Sequence, residues 1–243
     1  ELYRTQGRYG EAEPLSQRAL SIRERTLGPK HPQTATVLNN LALVYNGLLR
    51  YREAEPLLLR ALEIWEKKHG PQHPQVATCL NNLGEVYRGQ GKYVQAEQYS
   101  RRALAIWEKA YGPNHPNVAL ALNNLGLTFV QQENWNQAEP LYQRSLAIAE
   151  KALGPAHPQV ASTLNNLALV YDHENRDAEA ERMYARALAI SQRALGSNHP
   201  DVGAILQNYA QLLRKLERVT EASAMEAKAD IIRRSHPETA LPR

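Results

Sequence analysis

The stretch HPQTATVLNNLALVY, residues 31–45, decides the fold, because near copies of it return along the whole chain. Its opening dipeptide, His-Pro, recurs every 42 residues, and the copies begin at His31, His73, His115, His157 and His199. The dipeptide Ala-Glu keeps the same step, with copies that begin at Ala12, Ala54, Ala96, Ala138 and Ala180. A constant period in this range, without insertions, predicts a stacked array of one repeated unit.

The first half of each unit has the pattern of an amphipathic helix. Proline suits the first helical position, where its missing N–H would lack a partner in any case, so this helix is predicted to begin at Pro32. Leu38, Leu41, Ala42 and Tyr45 then recur at spacings of three and four residues, which places them on one helical face.

The second half of each unit predicts another helix, after a short break near residues 49–51. Its apolar residues also form one stripe, made in the first complete copy of Ala54, Leu57, Leu58, Ala61 and Leu62. A glycine just past a helix end is typical of a left-handed αL cap, and it recurs at Gly28, Gly70, Gly112, Gly154 and Gly196. No strand pattern is present, so the expected fold class is all-α.

These residues carry a resemblance to a known family. The pattern L-x-x-L-A-x-x-Y over residues 38–45, with alanines at 54 and 61 in the second helix, resembles the tetratricopeptide repeat (TPR). The 42-residue period and the recurring Leu-Gly-x-x-His-Pro resemble its kinesin-light-chain type, although Leu38 stands where the family usually has tryptophan. The resemblance implies a TPR α-solenoid, a right-handed superhelix of stacked antiparallel helix pairs with a concave groove. It also implies a protein-interaction scaffold or adaptor, which docks an extended peptide segment of a partner in that groove.

We expect a single TPR array over residues 1–235 and a disordered C-terminal tail at 236–243. Residues 1–30 are expected to be a partial first repeat, because residues 1–3 align with the end of the next unit's first helix. Complete repeats begin near residues 31, 73, 115, 157 and 199.

Two adjacent asparagines interrupt the apolar run of the first helix. The first-asparagine positions hold Asn39, Asn81, Asn123, Asn165 and, by substitution, Gln207; the residues that follow them occupy the second-asparagine positions. At 100° per residue, the first position lies on the flank that lines the groove in arrays of the resembled type. An amide offers both a donor and an acceptor, so this ladder predicts binding to the backbone of an extended peptide.

A structural role is the alternative for these asparagines. They could join each repeat to the next through hydrogen bonds to main-chain groups. Both interpretations stay open for the first-asparagine positions. The structural one is favoured for the second positions, which are Asn40, Asn82, Asn124 and Asn166.

Specificity is expected from groove positions whose residues differ between copies. The position of Leu43 holds Glu85, Leu127, Leu169 and Gln211 in the later units. The position of Asn46 holds Arg88, Val130, Asp172 and Arg214. We therefore predict an apolar anchor site at Leu127, Val130 and Leu169, flanked by Arg88 and Asp172.

Composition and spacing favour binding over chemistry. The 29 Lys and Arg residues are interspersed with 25 Asp and Glu, which argues against nucleic acid as a partner. No apolar run approaches the ~20 residues of a membrane span. Cys79 is the one cysteine, so an internal disulfide is excluded, and its alignment with packing residues predicts a core position. Stacked helices lie ~8–10 Å apart, which is too far for one histidine per repeat to form a metal site.

The expected function is therefore a cytoplasmic scaffold with a protein or peptide partner, no cofactor and no catalytic residues. The alternative is a structural or self-associating spacer domain of a larger protein. The chain is expected to be a monomer or a weak homodimer through its truncated N-terminal end, where an apolar repeat face is partly uncovered.

Overall fold

The computed structural model describes residues 2–5 and 7–236, and of the predicted tail only His236 lies within that part. The described residues contain helices and no strand. The helices are α1 Leu2–Thr5, α2 Tyr9–Leu27, α3 Pro32–Gly47, α4 Tyr51–His69, α5 Pro74–Gly89, α6 Tyr93–Tyr111, α7 Pro116–Gln131, α8 Trp135–Leu153, α9 Pro158–His173, α10 Asp177–Leu195, α11 Pro200–Lys215 and α12 Val219–Ser235. The predicted all-α architecture of two helices per 42 residues is confirmed.

The His-Pro dipeptide starts each first helix for a physical reason. His31 has an extended backbone, and its Nδ1 accepts a hydrogen bond of 3.2 Å from the backbone N–H of Gln33. The imidazole thus satisfies one of the orphan donors at the helix start, and Pro32 takes the first helical position. The same bond recurs in the other four copies, which begin at His73, His115, His157 and His199.

The glycine after each second helix has a conformation that only glycine adopts readily. Gly28 has φ 92° and ψ 159°, and Gly70 has φ 85° and ψ 161°. The positive φ agrees with the sequence prediction, but the predicted αL cap is wrong, because ψ is extended where αL requires about 47°. The N–H of Gly28 still bonds to Glu24 of the helix, at 3.0 Å. The chain therefore turns at this glycine and continues to the histidine that caps the next helix.

The turn between the two helices of a unit contains a left-handed residue. In the first complete copy it is Leu49, with φ 60°. The equivalent positions also have positive φ and hold Gly7, Gly91, Glu133, Asn175 and Glu217. A non-glycine residue loses roughly 1–2 kcal/mol in this conformation, so the turns with Leu or Glu are strained relative to those with Gly.

The described residues form two compact units, and the chain passes from one to the other between Asn117 and Val118. In the first unit α2 packs on α3, α3 on α4, α4 on α5 and α5 on α6. Leu38, Leu58 and Leu80 lie completely buried there. In the second unit α8 packs on α9, and the packing continues in sequence to α12. Its core includes Tyr142 and Tyr184.

Ion pairs connect successive second helices within each unit. The arginine always belongs to the later repeat, and its glutamate partner lies 36 or 37 residues earlier. The pairs are Arg50–Glu13, Arg60–Glu24, Arg102–Glu66, Arg176–Glu139, Arg186–Glu150 and Arg218–Glu181. Hydrogen bonds to Glu53 and then to Glu13 raise the pKa of Arg50. These pairs hold neighbouring repeats in one register.

Candidate functional site

The adjacent asparagines hydrogen-bond from one repeat to the next. In the first unit, Nδ2 of Asn82 donates to Oδ1 of Asn39 at 2.8 Å. In the second unit, Nδ2 of Asn166 donates to Oδ1 of Asn123 at 3.1 Å. The partners are 43 residues apart, so the second-asparagine position pairs with the first-asparagine position of the preceding repeat. Each such pair is called an amide rung below. The connection runs between side chains, whereas the structural alternative had assumed main-chain partners.

Rungs of the second unit join into a chain of amides. Asn208 donates to Oδ1 of Asn165 at 3.1 Å, and Nδ2 of Asn165 lies 3.4 Å from Oδ1 of Asn166. Asn166 in turn donates to Asn123, so the chain crosses α11, α9 and α7. Hydrogen bonds in series polarise one another, which favours a single orientation for every amide in the chain.

The first-asparagine positions lie deeper than a helix in isolation would place them. Asn39, Asn81 and Asn123 are 6%, 1% and 5% exposed. Asn165 is half-buried, and Gln207 is exposed. A helical-wheel projection of a single helix does not include the neighbouring repeat. The second asparagine of the next repeat covers the flank that the projection shows as exposed.

Two rung amides have a hydrogen-bond donor that the described residues do not use. Oδ1 of Asn39 and Oδ1 of Asn123 each accept the rung bond. Nδ2 of each makes no hydrogen bond to a residue within 2–5 or 7–236. Nδ2 of Asn81, by contrast, donates to Oε1 of Glu85 at 3.1 Å. The rungs can therefore offer donors to a ligand, and the matching ligand groups are carbonyl or carboxylate oxygens.

The rung of the first unit has polar neighbours. Glu85 accepts a second amide bond from Nδ2 of Asn46, at 3.3 Å. Arg88, one turn further along α5, is half-buried, and its Nε is shielded from solvent without a hydrogen-bond partner in the described part of the chain. A guanidinium that lacks a carboxylate partner is suited to bind one from another molecule.

The rung of the second unit has apolar neighbours. Leu127 and Val130 lie one turn apart on α7, and Leu169 lies on α9. All three are half-buried and pack against the same core cluster. The grouping of these three residues into one anchor site stays a prediction.

Asp172, the acidic residue predicted beside this anchor, is held in an ion pair. Nζ of Lys215 donates to its Oδ1 at 2.9 Å and to its backbone oxygen at 2.8 Å. The same ammonium donates to Asp177 at 2.7 Å. The hydrogen bond to Asp177, followed by the bond to Asp172, raises the pKa of Lys215. Asp172 thus has less capacity than Arg88 to bind a charged group of a ligand.

A contact at the end of the first helices was missed by the sequence reasoning. It joins the first residue of a second helix to the end of the next repeat's first helix. The pairs are Tyr9 on Gly47, Tyr51 on Gly89, Trp135 on His173 and Asp177 with Lys215. A Cβ on either glycine would overlap the tyrosine ring, and the Trp135 and His173 rings stack with centroids 4.1 Å apart. A signal was present in the sequence, because these four pairs have a constant separation of 38 residues and complementary side chains.

Other chemistry-bearing groups have structural surroundings. Cys79 is buried, its Sγ lies 3.1 Å from the backbone oxygen of Leu58, and burial raises the pKa of its thiol. Within residues 2–5 and 7–236, no three His, Cys, Asp or Glu side chains meet in a way that could hold a metal ion. None of the helices in that part combines the length and the apolarity needed to cross a membrane.

A family model described as tetratricopeptide repeat matches residues 1–59, 37–107, 83–151, 128–192 and 174–229. No curated protein matches the chain. Among solved structures, BtubC (BKLC) from P. vanneervenii is similar, with 22% identity, a TM-score of 0.68, and coverage of 100% of this chain and 94% of that one.

Two further structures share the fold. A Podosopora anserina protein of kinesin-light-chain type with nearly identical TPR-like repeats is 23% identical, with a TM-score of 0.63 over 84% of this chain and 96% of its own. A Rap protein complexed with competence and sporulation factor is 16% identical, with a TM-score of 0.63 over 86% of this chain and 66% of its own. The neighbours confirm the solenoid of kinesin-light-chain-like repeats predicted from the 42-residue period.

Proposed function

Because the chain belongs to the tetratricopeptide-repeat family, we propose that it is a protein-interaction scaffold whose first helices dock an extended peptide segment of a partner. One observation carries the proposal: Asn39 and Asn123 are fixed by their rungs, and each keeps an Nδ2 donor that is not used within the described chain. The Rap neighbour, whose structure holds competence and sporulation factor, supports a binding role for this fold.

The rung bond prepares these amides for a ligand. Because Oδ1 is already engaged by the next repeat, the side chain does not have to be ordered when a ligand arrives, and less entropy is lost on binding. An Nδ2 donor recognises any backbone carbonyl. The rungs therefore supply affinity for an extended peptide with little dependence on its sequence.

Sequence preference comes from the neighbours of each rung. In the second unit, Leu127, Val130 and Leu169 form an apolar surface that suits an apolar side chain of the peptide. In the first unit, Arg88 suits an acidic one. We propose that residues 1–235 act as a single array and that the protein is a cytoplasmic binding protein without a catalytic role.

A peptide-display selection tests the proposal. The wild-type chain is compared with the triple variant Leu127→Gln, Val130→Arg and Leu169→Gln. Each new residue already occupies the equivalent position of another repeat, at Gln211, Arg88 or Arg214, so the variant should remain folded. Peptides with a recurring apolar residue should be enriched by the wild type and lost with the variant.

Leu59→Gln provides the matched control. Leu59 is 39% exposed on α4, a second helix, and the equivalent positions hold Gln17 and Gln143. The control should retain every peptide that the wild type selects. Equal enrichment by the wild type and the triple variant, with both folded, would place binding elsewhere on the chain.

Self-association is the alternative, and exposed apolar residues on α2 favour it. Leu15 and Ile22 are 55% and 42% exposed. Beside Leu15 lies a cavity of about 220 Å³, which Val37 and Val44 of α3 also line. Sedimentation of the wild type and of a Leu15→Gln variant would test this role. A mass that rises with concentration in the wild type alone would favour self-association.

A further inference from the structure

A cavity of about 500 Å³ lies between the α2–α3 link and α4, away from the amide rungs. Its lining is Pro29, Lys30, Pro32, Arg60, Glu63, Ile64, Lys67 and Lys68. The volume falls within the range of about 300–1,000 Å³ that is typical of small-molecule sites. It lies wholly within the first unit.

The cationic residues around this cavity differ in whether they have partners. Arg60 pairs with Glu24 at 2.6 Å and donates to the backbone oxygen of Pro29 at 2.9 Å. Lys30, Lys67 and Lys68 are exposed and form no ion pair or hydrogen bond with any residue in the described part. Glu63 is the one carboxylate in the lining, so the three lysines leave the rim with an excess of positive charge.

Three residues of the cavity lining are apolar. Pro29 and Pro32 supply ring surfaces from the link, and Ile64 supplies an aliphatic one from α4. An apolar surface next to exposed cations matches an amphiphilic ligand with an anionic end. Lysine acts as a point charge with rotatable donors, and so it binds either a phosphate or a carboxylate group.

The excess charge is not a requirement of the repeat. The position of Lys30 holds Gln72, Asn114, Ala156 and Asn198 in the other copies. The position of Lys68 holds Thr26, Ala110, Ala152, Ala194 and His236. Every other copy folds without a lysine at either place, so stacking does not explain the two lysines.

We infer that this cavity binds a small organic anion. Its apolar body would lie on Pro29, Pro32 and Ile64, and its phosphate or carboxylate group would be held by Lys30, Lys67 and Lys68. This site does not depend on the proposed peptide-docking function, because none of its residues lies at an amide rung or beside one.

NMR titration of the full chain tests the inference with defined probes. Phenyl phosphate and benzoate carry an apolar ring with either anion, whereas inorganic phosphate lacks the ring and benzyl alcohol lacks the charge. Amide shifts of Lys30, His31, Gln33 and residues 60–68 should saturate with the first two probes. The other two should bind at least about tenfold more weakly, because each makes only one of the two kinds of contact. The tighter of the two aromatic anions identifies the preferred group.

The double variant Lys30→Gln and Lys68→Ala gives the cavity the residues of the next repeat, Gln72 and Ala110. It should weaken the aromatic anions about tenfold or more. Lys109→Ala, at the next repeat's equivalent of Lys67, is the control and should leave their affinity unchanged.

Several results would overturn the inference. They are unsaturable shifts, equal affinity in the double variant, or inorganic phosphate binding as tightly as phenyl phosphate. Tighter binding of the peptide acetyl-Glu-Leu-Glu-amide would assign the cavity to a protein segment instead. Shifts that appear on raising the protein concentration without any probe would assign it to a second copy of the chain.

Discussion

The Asn39–Asn82 rung of the first unit and the Asn123–Asn166 rung of the second are the same bond in different surroundings. Beside the first rung lies Glu85, which accepts two amide bonds. Beside the second lie leucine and valine side chains. The comparison separates two features of one helix: the rung recurs in both units and joins repeats, whereas its neighbours differ in polarity between the two units.

The largest expected effect tests whether the two units are equally well packed. Leu80 and Leu164 occupy the same repeat position, and both are 0% exposed. Leu80→Ala and Leu164→Ala should each lower the free energy of unfolding by about 2–5 kcal/mol, from lost burial and the cavity left behind. Urea denaturation measures both. A loss below about 1 kcal/mol at one site would show that its surroundings can collapse around alanine.

Breaking the rungs should have the next largest effect. Asn82→Ala and Asn166→Ala leave Oδ1 of Asn39 or of Asn123 buried without its donor, which costs about 1–3 kcal/mol each. Asn166 also accepts from Asn165, so its replacement should cost more than that of Asn82. Exposed Gln207→Ala is the control, within about 0.5 kcal/mol of wild type. If the rung variants have the same urea midpoint of unfolding as the wild type, the rungs do not hold the repeats together.

Replacing a strained turn residue should produce a smaller change, of opposite sign. Leu49→Gly removes a side chain from a residue with φ 60° and should raise the free energy of unfolding by about 0.5–1 kcal/mol. Asn175→Gly, at the equivalent turn of the second unit, should gain less, because asparagine tolerates this conformation. Thermal melts of the two variants provide the comparison. An equal gain at both turns would contradict the strain argument for Leu49.

The smallest expected effect is a pH dependence that arises at the histidine cap of α5, His73. Burial, and then the neighbouring His69, lowers the pKa of His73. The unfolded chain then binds the proton more readily, so stability that is present above about pH 6.5 is lost as the pH falls through the lowered pKa.

His73→Asn keeps a side-chain cap that does not titrate. The variant should therefore lose less stability than wild type between pH 7 and pH 5, measured by urea denaturation at each pH. His157→Asn in the second unit provides the comparison. Parallel curves for wild type and His73→Asn would show that this cap does not contribute.

The sequence predicted the helices well because each one is seen several times. A proline at a fixed distance after each glycine identifies the start of a first helix, and α3 does begin at Pro32. The rungs could not be predicted in the same way. Their geometry depends on an offset of 43 residues, one more than the period, and that offset is set by how neighbouring helices slide past each other.

The candidate site could also be predicted only in part from the sequence. Which positions vary could be read from the aligned copies, and this identified Leu127, Val130 and Leu169 as a group. Whether a charged residue at such a position has a partner could not be read. Asp172 has an ion-pair partner in Lys215, which lies 43 residues further along the chain. Nε of Arg88 has no hydrogen-bond partner in the described chain. A partner so far away in the sequence cannot be identified from the residues around the charged position.

The arginine–glutamate pairs between second helices make each repeat a directional building block. One edge of a block carries arginines and the other carries glutamates, so blocks couple head to tail in a single sense. Deleting residues 157–198 would bring Arg218 to the place of Arg176, opposite Glu139. Length can therefore change by duplication or loss of whole 42-residue blocks with the spacing of the helices preserved, whereas the insertion or deletion of one residue within a block would shift its helices out of register with the neighbouring blocks.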